Sequence, residues 1–199
     1  PVQDWYRCPL VASGCFSIYR TEIITRLGGF PTDTVGEDLD LTWRLYEAGE
    51  SVKYVSRAIC YPVEPPNLHF MRKQLTRWSH GFAQNVRLHG RRILDVPMLR
   101  AFVIVASLDA FLALLYLLMT PFLVWARGWH YLIAVYLTDL LLLAIPVLWM
   151  GCRLGLLTKA LACLPSVFVL RWFNIYYFWR AAALEWVLKR PLRVFEKGH

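Results

Sequence analysis

Ala101 to Ala126 reads AFVIVASLDAFLALLYLLMTPFLVWA, 26 residues with one formal charge, Asp109. At about 1.5 Å of rise per residue, a helix of that length crosses the hydrocarbon core of a bilayer. Two stretches of the same kind follow: Tyr131 to Met150, with Asp139 as its one charge, and Ala160 to Trp179, with Arg171. The sequence thus predicts about three transmembrane helices across 101–179. An unpaired Asp or Arg at a helix centre costs on the order of 3 kcal/mol on insertion scales. Arg171 is therefore expected to form a structural ion pair with one of the two Asp residues. The sharper alternative is that the three charges, with Trp172, Asn174, Tyr176 and Tyr177, line a polar path.

The rest of the chain differs in kind. Of its 199 residues 57% are hydrophobic and 18% charged, but ten of the 14 acidic residues fall in the first hundred. A globular half precedes a membrane half. The net charge of +8 comes from clusters beside the apolar runs, Arg87, Arg91, Arg92 and Arg100 before them and Lys189, Arg190, Arg193 and Lys197 after. Basic residues so placed suit anionic headgroups and the positive-inside bias. They form no stripe interleaved with stacking aromatics, which argues against nucleic acid as a partner. The four Arg before the first span argue for a cytoplasmic start. An odd number of crossings would then leave the basic tail outside, so either the third stretch is re-entrant or the tail is an exception.

Five cysteines, Cys8, Cys15, Cys60, Cys152 and Cys163, make an odd count without Cys-x-x-Cys spacing. Neither a disulfide framework nor a zinc site is indicated. The chain opens at Pro1 with no initiator Met and no signal-peptide pattern, and its first element has a mid-domain character. It is expected to be a fragment of a longer protein.

Ahead of the spans, Val11 to Arg20 reads as a strand with a Ser-Gly turn, and Thr21 as the cap of a short helix ending at Gly28-Gly29. From Glu37 to Ala48, Leu39, Leu41, Trp43, Leu45 and Tyr46 give a helix an apolar side, and Gly49 is placed to end it. Ser51 to Val55 and Ala58 to Val63 are strand-like, and Pro65-Pro66 closes the αβ region. Asn67 caps a helix to about His89. Its apolar stripe is Leu68, Met71, Leu75, Trp78, Phe82 and Val86, with His69, Lys73, Arg77, His80 and Arg87 opposite. Such a helix fits the membrane interface, lying flat. The fold class expected is α/β plus membrane α-helical: a partial globular domain over 1–66, an amphipathic interfacial helix and connector over 67–100, spans over 101–126, 131–150 and 160–179, and a basic interfacial tail over 180–199.

Two clusters carry chemistry. Acids in a first turn, here Glu37, Asp38 and Asp40, stabilise a helix by about 0.3 to 1 kcal/mol each through its macrodipole and need no further role. Carried into a cleft, Asp38 can instead take a proton from an attacking hydroxyl. Asp38-x-Asp40 is a poor metal pair, because positions two apart on a helix point about 200° apart, and no metal ligand is assigned in this chain. Gln74, Arg77 and Trp78 share one arc of the next helix. Arg77 there can hold a diphosphate by paired charge-assisted bonds, and Trp78 can stack on a sugar ring. A snorkelling Arg and an anchoring Trp at an interface are the plain alternative.

Ser13-Gly14-Cys15, the Gly28-Gly29-Phe30 turn, Gly36-Glu37-Asp38 with Leu41-Thr42-Trp43-Arg44-Leu45, and Gln74-Leu75-Thr76-Arg77-Trp78 occur in that order, with membrane spans after them. The combination resembles the carboxyl-terminal half of membrane-bound family 2 glycosyltransferases over residues 11 to 82. Poly-N-acetylglucosamine synthases are nearest, with chitin, hyaluronan and cellulose synthases as wider relatives. The resemblance implies the acceptor-side part of a GT-A-like domain in a multi-pass enzyme of the plasma membrane, its catalytic part cytoplasmic. The reaction implied is inverting transfer of a sugar, N-acetylglucosamine in the first place, from a UDP-sugar donor to a growing exported polysaccharide.

By the same resemblance Asp38 is the catalytic base, and Gln74 and Arg77 face the donor diphosphate. Trp78 stacks on the acceptor, with Ser13, Gly14, Cys15 and Glu37 lining its pocket. The donor-binding half, with an Asp-x-Asp that holds Mg²⁺ or Mn²⁺, would lie upstream of Pro1, and this stretch alone should not turn over. Gly36 stands where Thr is commoner, which leaves the base untouched. Implied partners are the UDP-sugar, the glycan acceptor, membrane lipids and an accessory membrane subunit. Two other readings stay open: a non-processive transferase to a lipid, since Gln-x-x-Arg-Trp also resembles ceramide glucosyltransferases, and a non-catalytic membrane protein whose soluble part docks.

Overall fold

A computed structural model describes residues 8–55 and 57–194. Pro1 and Lys197, with the ends to which they belong, lie outside the described residues. Helix α1 is Thr21–Arg26. It stops where Gly28 and Gly29 take φ of 83° and 85° and Gly29 N donates to Ile24 O over 2.9 Å, a left-handed ending that favours glycine. Thr21 is its first helical residue rather than its cap, a place Arg20 takes without a side-chain bond. Helix α2, Glu37–Glu47, ends as expected at Gly49, with φ of 77° and Glu50 N donating to Leu45 O. Helix α3, Leu68–His89, starts where Asn67 Oδ1 accepts from His69 N and Phe70 N.

Among the described residues no strand forms. The segments expected to be strands, Val11 to Arg20, Ser51 to Val55 and Ala58 to Val63, run extended or in turns, because a strand is stable only against a neighbouring strand. Ala12 of the first, with Pro9 and Leu10 just ahead of it, finds its partners on a helix instead. Tyr46 Oη donates to Pro9 O (2.6 Å), Trp43 Nε1 donates to Leu10 O (3.1 Å), and Ala12 N donates to Thr42 Oγ1 (2.9 Å). Residues 9–14 are thereby strapped along one face of α2.

Under that strap Trp43 and Tyr46 are buried with Cys8, Ile93 and Leu99, and Phe82 and Val86 of α3 pack against them. Burial pushes the Tyr46 phenol far above its usual range. Leu75 of the expected stripe is buried too, but Leu68 is 70% exposed and Trp78 54%. Buried in their place are His80, Gln84 and Asn85. The interfacial reading of α3 placed His80 on the polar outer face. It is inside because the chain after the third apolar stretch supplies its partner, as described below.

Asp40 is wholly buried and turned away from Asp38, towards Arg44 (2.5 Å) and His89 (3.5 Å), while His89 Nδ1 lies 2.6 Å from Glu47. Burial disfavours charge on His89, but its hydrogen bonds to Asp40 and Glu47, and their charges, outweigh this and raise its pKa. A raised pKa means the protonated imidazole contributes stability in full below its unfolded value of about 6.5 and loses it as pH rises through the folded value. Tm should therefore fall as pH climbs past about 6.5, and His89→Gln should flatten that fall. Parallel Tm–pH curves for the two proteins would disprove the pairing.

The chain divides into two compact units, one of the residues up to Leu108 and from Tyr177 on, the other of Asp109 to Tyr176. A 3₁₀ turn, Arg92–Asp95, leads into α4, Pro97–Arg127. Pro97 starts α4, where its missing N–H costs nothing. Helix α5 is Trp129–Arg153 and α6 Leu157–Ala182. Helices α4 and α5 are long and apolar enough to cross a membrane; α6 qualifies only if its two parts, bent by 43° between Val167 and Val169, count as one. Pro165 precedes the bend and removes a helical donor there. In the second unit Arg171 reaches both acids, Asp109 at 3.0 Å and Asp139 at 3.2 Å, rather than one. Each charge of the apolar stretches thus has an opposite charge beside it.

Candidate functional site at the α2–α3 crossing

Asp38 sits in the first turn of α2. Its Oδ2 accepts from Gly14 N (3.0 Å) and its Oδ1 from Leu39 N (2.8 Å), so two backbone donors set its rotamer. The Ser13-Gly14-Cys15 turn is built to present that donor. Ser13 O accepts from Ser17 Oγ and Phe16 N, and Ser13 Oγ accepts from Cys15 N at 3.4 Å. Below it, Tyr19 Oη donates to Ala12 O. Burial, and in smaller part the charge of Asp38, raise the Tyr19 phenol, against a lowering by Ser17. Glu37 is half-buried beside Asp38, and Cys15 is exposed.

The start of α2 rests on α3 through two glycines. A Cβ on Gly81 would lie 2.9 Å from Gly36 Cα, and one on Gly36 3.0 Å from Gly81 Cα, so the two backbones touch. Asn85 Nδ2 donates to Gly36 O (3.2 Å) and Gly81 O (2.9 Å), and Gln84 Oε1 accepts from Val35 N (3.0 Å). Trp78, Arg77 and Gln74 lie on α3 ahead of this crossing, about 4.5, 6 and 10 Å along the axis from Gly81. Gln74 and Arg77 are half-buried, and the Trp78 indole is mostly open. Asp38 and Gly14 are in direct contact; Gln74, Arg77 and Trp78 lie along the helix that the start of α2 crosses.

Sequence reasoning missed Thr42, Gln84, Asn85 and Glu185. A signal existed in Gln84-Asn85, a polar pair one turn from Gly81, and in Glu185, an acid standing between apolar residues just ahead of a basic cluster. A divalent cation does not fit the residues present. Among the described residues no group of three His, Cys, Asp or Glu is placed to hold a metal ion, both Asp38 oxygens already accept from backbone N–H groups, and Asp40 faces Arg44 and His89.

An extended strap, an acid at a helix tip and a Gln/Arg/Trp helix ahead of apolar helices suit the class of membrane glycosyltransferase. The sequence profile described as glycosyl transferase family group 2 matches residues 2–188. The chain belongs to that family. It is 34% identical over 87 residues to the uncharacterized glycosyltransferase YaiP of Escherichia coli K12, covering 44% of this chain and 22% of that protein. It is 32% identical over 69 residues to the poly-beta-1,6-N-acetyl-D-glucosamine synthases of Staphylococcus aureus strains COL and N315, covering 35% of this chain and 17% of theirs. The match thus spans about a fifth of the length of these relatives. No solved structure gives a significant match.

Proposed function

We propose that this chain is the acceptor-side and membrane part of an inverting glycosyltransferase that moves N-acetylglucosamine from a UDP-sugar to a growing polysaccharide exported across the plasma membrane. The observation that carries this is the Gly36–Gly81 crossing, which sets the Asp38 tip of α2 on the helix bearing Gln74, Arg77 and Trp78. Asp38 takes the proton of the acceptor hydroxyl as its oxygen attacks the anomeric carbon. UDP departs from the opposite face, so the configuration inverts. Gln74 and Arg77 hold the diphosphate, the open Trp78 indole stacks on the acceptor sugar, and Ser13, Gly14, Cys15 and Glu37 line its pocket.

The remaining parts of a GT-A-like α/β domain, its sheet and its Mg²⁺ or Mn²⁺ site, would come from residues outside 1–199. Within the chain the reading keeps 1–66 as the partial transferase domain, 67–100 as the α3 segment and connector, 101–179 as the membrane region and 180–199 as the segment beyond it. That the segments before and after the apolar helices share one side of the bilayer has support from a contact in the first unit. His80, before the spans, lies 2.7 Å from Glu185, after them, and two groups in contact lie on one side of a bilayer. Two crossings and a bent, re-entrant α6 satisfy this, and they keep both basic clusters inside.

Product analysis tests the reading. The intact enzyme in lipid, given UDP-N-acetylglucosamine and Mg²⁺, is expected to release UDP in step with a lengthening β-linked polymer. One sugar added to a lipid would support the non-processive alternative, and absence of any UDP release would favour a non-catalytic protein.

A further inference from the structure

Glu185 is 1% exposed and sits in a single π-helical turn, Ala183–Val187, directly after α6. Such a turn carries one residue more than an α-turn and often re-aims a side chain at a functional place. Its Oε1 meets three donors: His80 Nδ1 and Gln84 Nε2, both at 2.7 Å, and Leu192 N at 3.0 Å. The His80–Glu185 contact pairs a donor with an acceptor when the imidazole carries a proton on Nδ1. Gln84 Nε2 also donates to Leu192 O (2.9 Å), and Trp186 Nε1 donates to Ala83 O (2.9 Å). Residues 183–192 therefore grip one face of α3 between residues 80 and 84.

That grip does not end on α3. The other end of the same Gln84 amide accepts from Val35 N, one residue before the Gly36 that opens the Asp38 helix. A single side chain thus joins the Glu185 carboxylate to the lead-in of α2. Burying a carboxylate is costly unless its hydrogen bonds are met: Oε1 faces three partners, while Oε2 has no hydrogen bond and lies 4.0 Å from Arg87 Nη2. What matters for the orientation of the Gln84 amide is an acceptor at this position: Glu185 Oε1 and Leu192 O together take its Nε2, which leaves the amide oxygen of Gln84 for Val35 N.

We infer that Glu185 is a positioning residue which, through His80 and Gln84, sets the start of the Asp38 helix on the helix that carries Gln74, Arg77 and Trp78. The inference rests on the function proposed above. It makes the chain after the third apolar stretch a working part of the transfer site rather than a basic tail.

Steady-state kinetics with UDP-sugar on the intact enzyme test it. Glu185→Ala is expected to raise the donor KM about tenfold and to lower kcat about tenfold, since small displacements of reacting groups cost rate steeply. Glu185→Gln, whose amide oxygen can still accept, should restore KM to within about threefold of wild type. A loss of active enzyme at unchanged KM is what a purely structural residue gives, and it would overturn the inference, as would wild-type kinetics. Where Glu185→Ala does not accumulate, Gln84→Ala decides: a raised donor KM supports the link and an unchanged one refutes it. Arg77→Ala separates the two levels. If it raises donor KM while the Glu185 and Gln84 variants do not, only the positioning role fails; if none of them does, the donor assignment itself fails.

Discussion

Asp38→Asn in the intact enzyme is expected to reduce sugar transfer by about 10³-fold or more, within the range for losing a positioned general base, while donor affinity stays within about twofold. The amide has the same shape as the carboxylate, and its oxygen can keep one of the two backbone bonds, from Gly14 N or Leu39 N. The turn of residues 13–15 and the α2 tip should therefore hold. What is lost is the basic oxygen that takes the acceptor proton. Gln74 and Arg77, on α3, are untouched, so UDP-sugar binding measured by calorimetry should be near that of wild type. Near-normal polymer synthesis by the variant would refute the base assignment, whatever its binding.

Gly81→Ala is the second large effect, and it comes from geometry alone. In a helix alanine is normally preferred to glycine by roughly 1 kcal/mol, so an exposed site would gain. Here the new Cβ would meet Gly36 Cα at 2.9 Å and Gly36 N at 3.1 Å, and backbone atoms cannot rotate aside. The helices must separate, at about 1–3 kcal/mol for overpacking. The bonds from Asn85 to Gly36 O and from Val35 N to Gln84 lengthen with them. Because a shift of about 1 Å can cost about 10²-fold in rate, kcat should fall about a hundredfold with a lower Tm. A stabilised and fully active Gly81→Ala protein would mean that α2 and α3 do not meet there.

Both predictions turn on residues that sequence reading weighted unequally. Asp38 stood out because an acid at a helix start, followed by Leu41, Trp43 and Leu45, is a local pattern. Gly81 did not, since a glycine in mid-helix acquires meaning only from what lies against it. Gly36 was noted only as standing where Thr is commoner. Helical spacing argued against Asp38-x-Asp40 as a metal pair; of the partners Asp40 does take, Arg44 is a local i,i+4 contact, but His89 lies 49 residues along the chain, beyond any local pattern.

Sequence by itself determined the apolar helices, the Asn67 cap, the Gly28-Gly29 and Gly49 stops and the acidic tip of α2. Each is written in residues within a few turns of one another, where periodicity and backbone preference act. Only the tertiary structure decided which face of α3 is buried, that Arg171 answers two acids rather than one, that Val11 to Arg20 does not form a strand among the described residues, and that Glu185 meets His80 across 105 residues. The physical reason is the same in each case. A buried polar or charged group is stable only with its partner in place, and that partner is chosen by the fold, not by the neighbouring sequence.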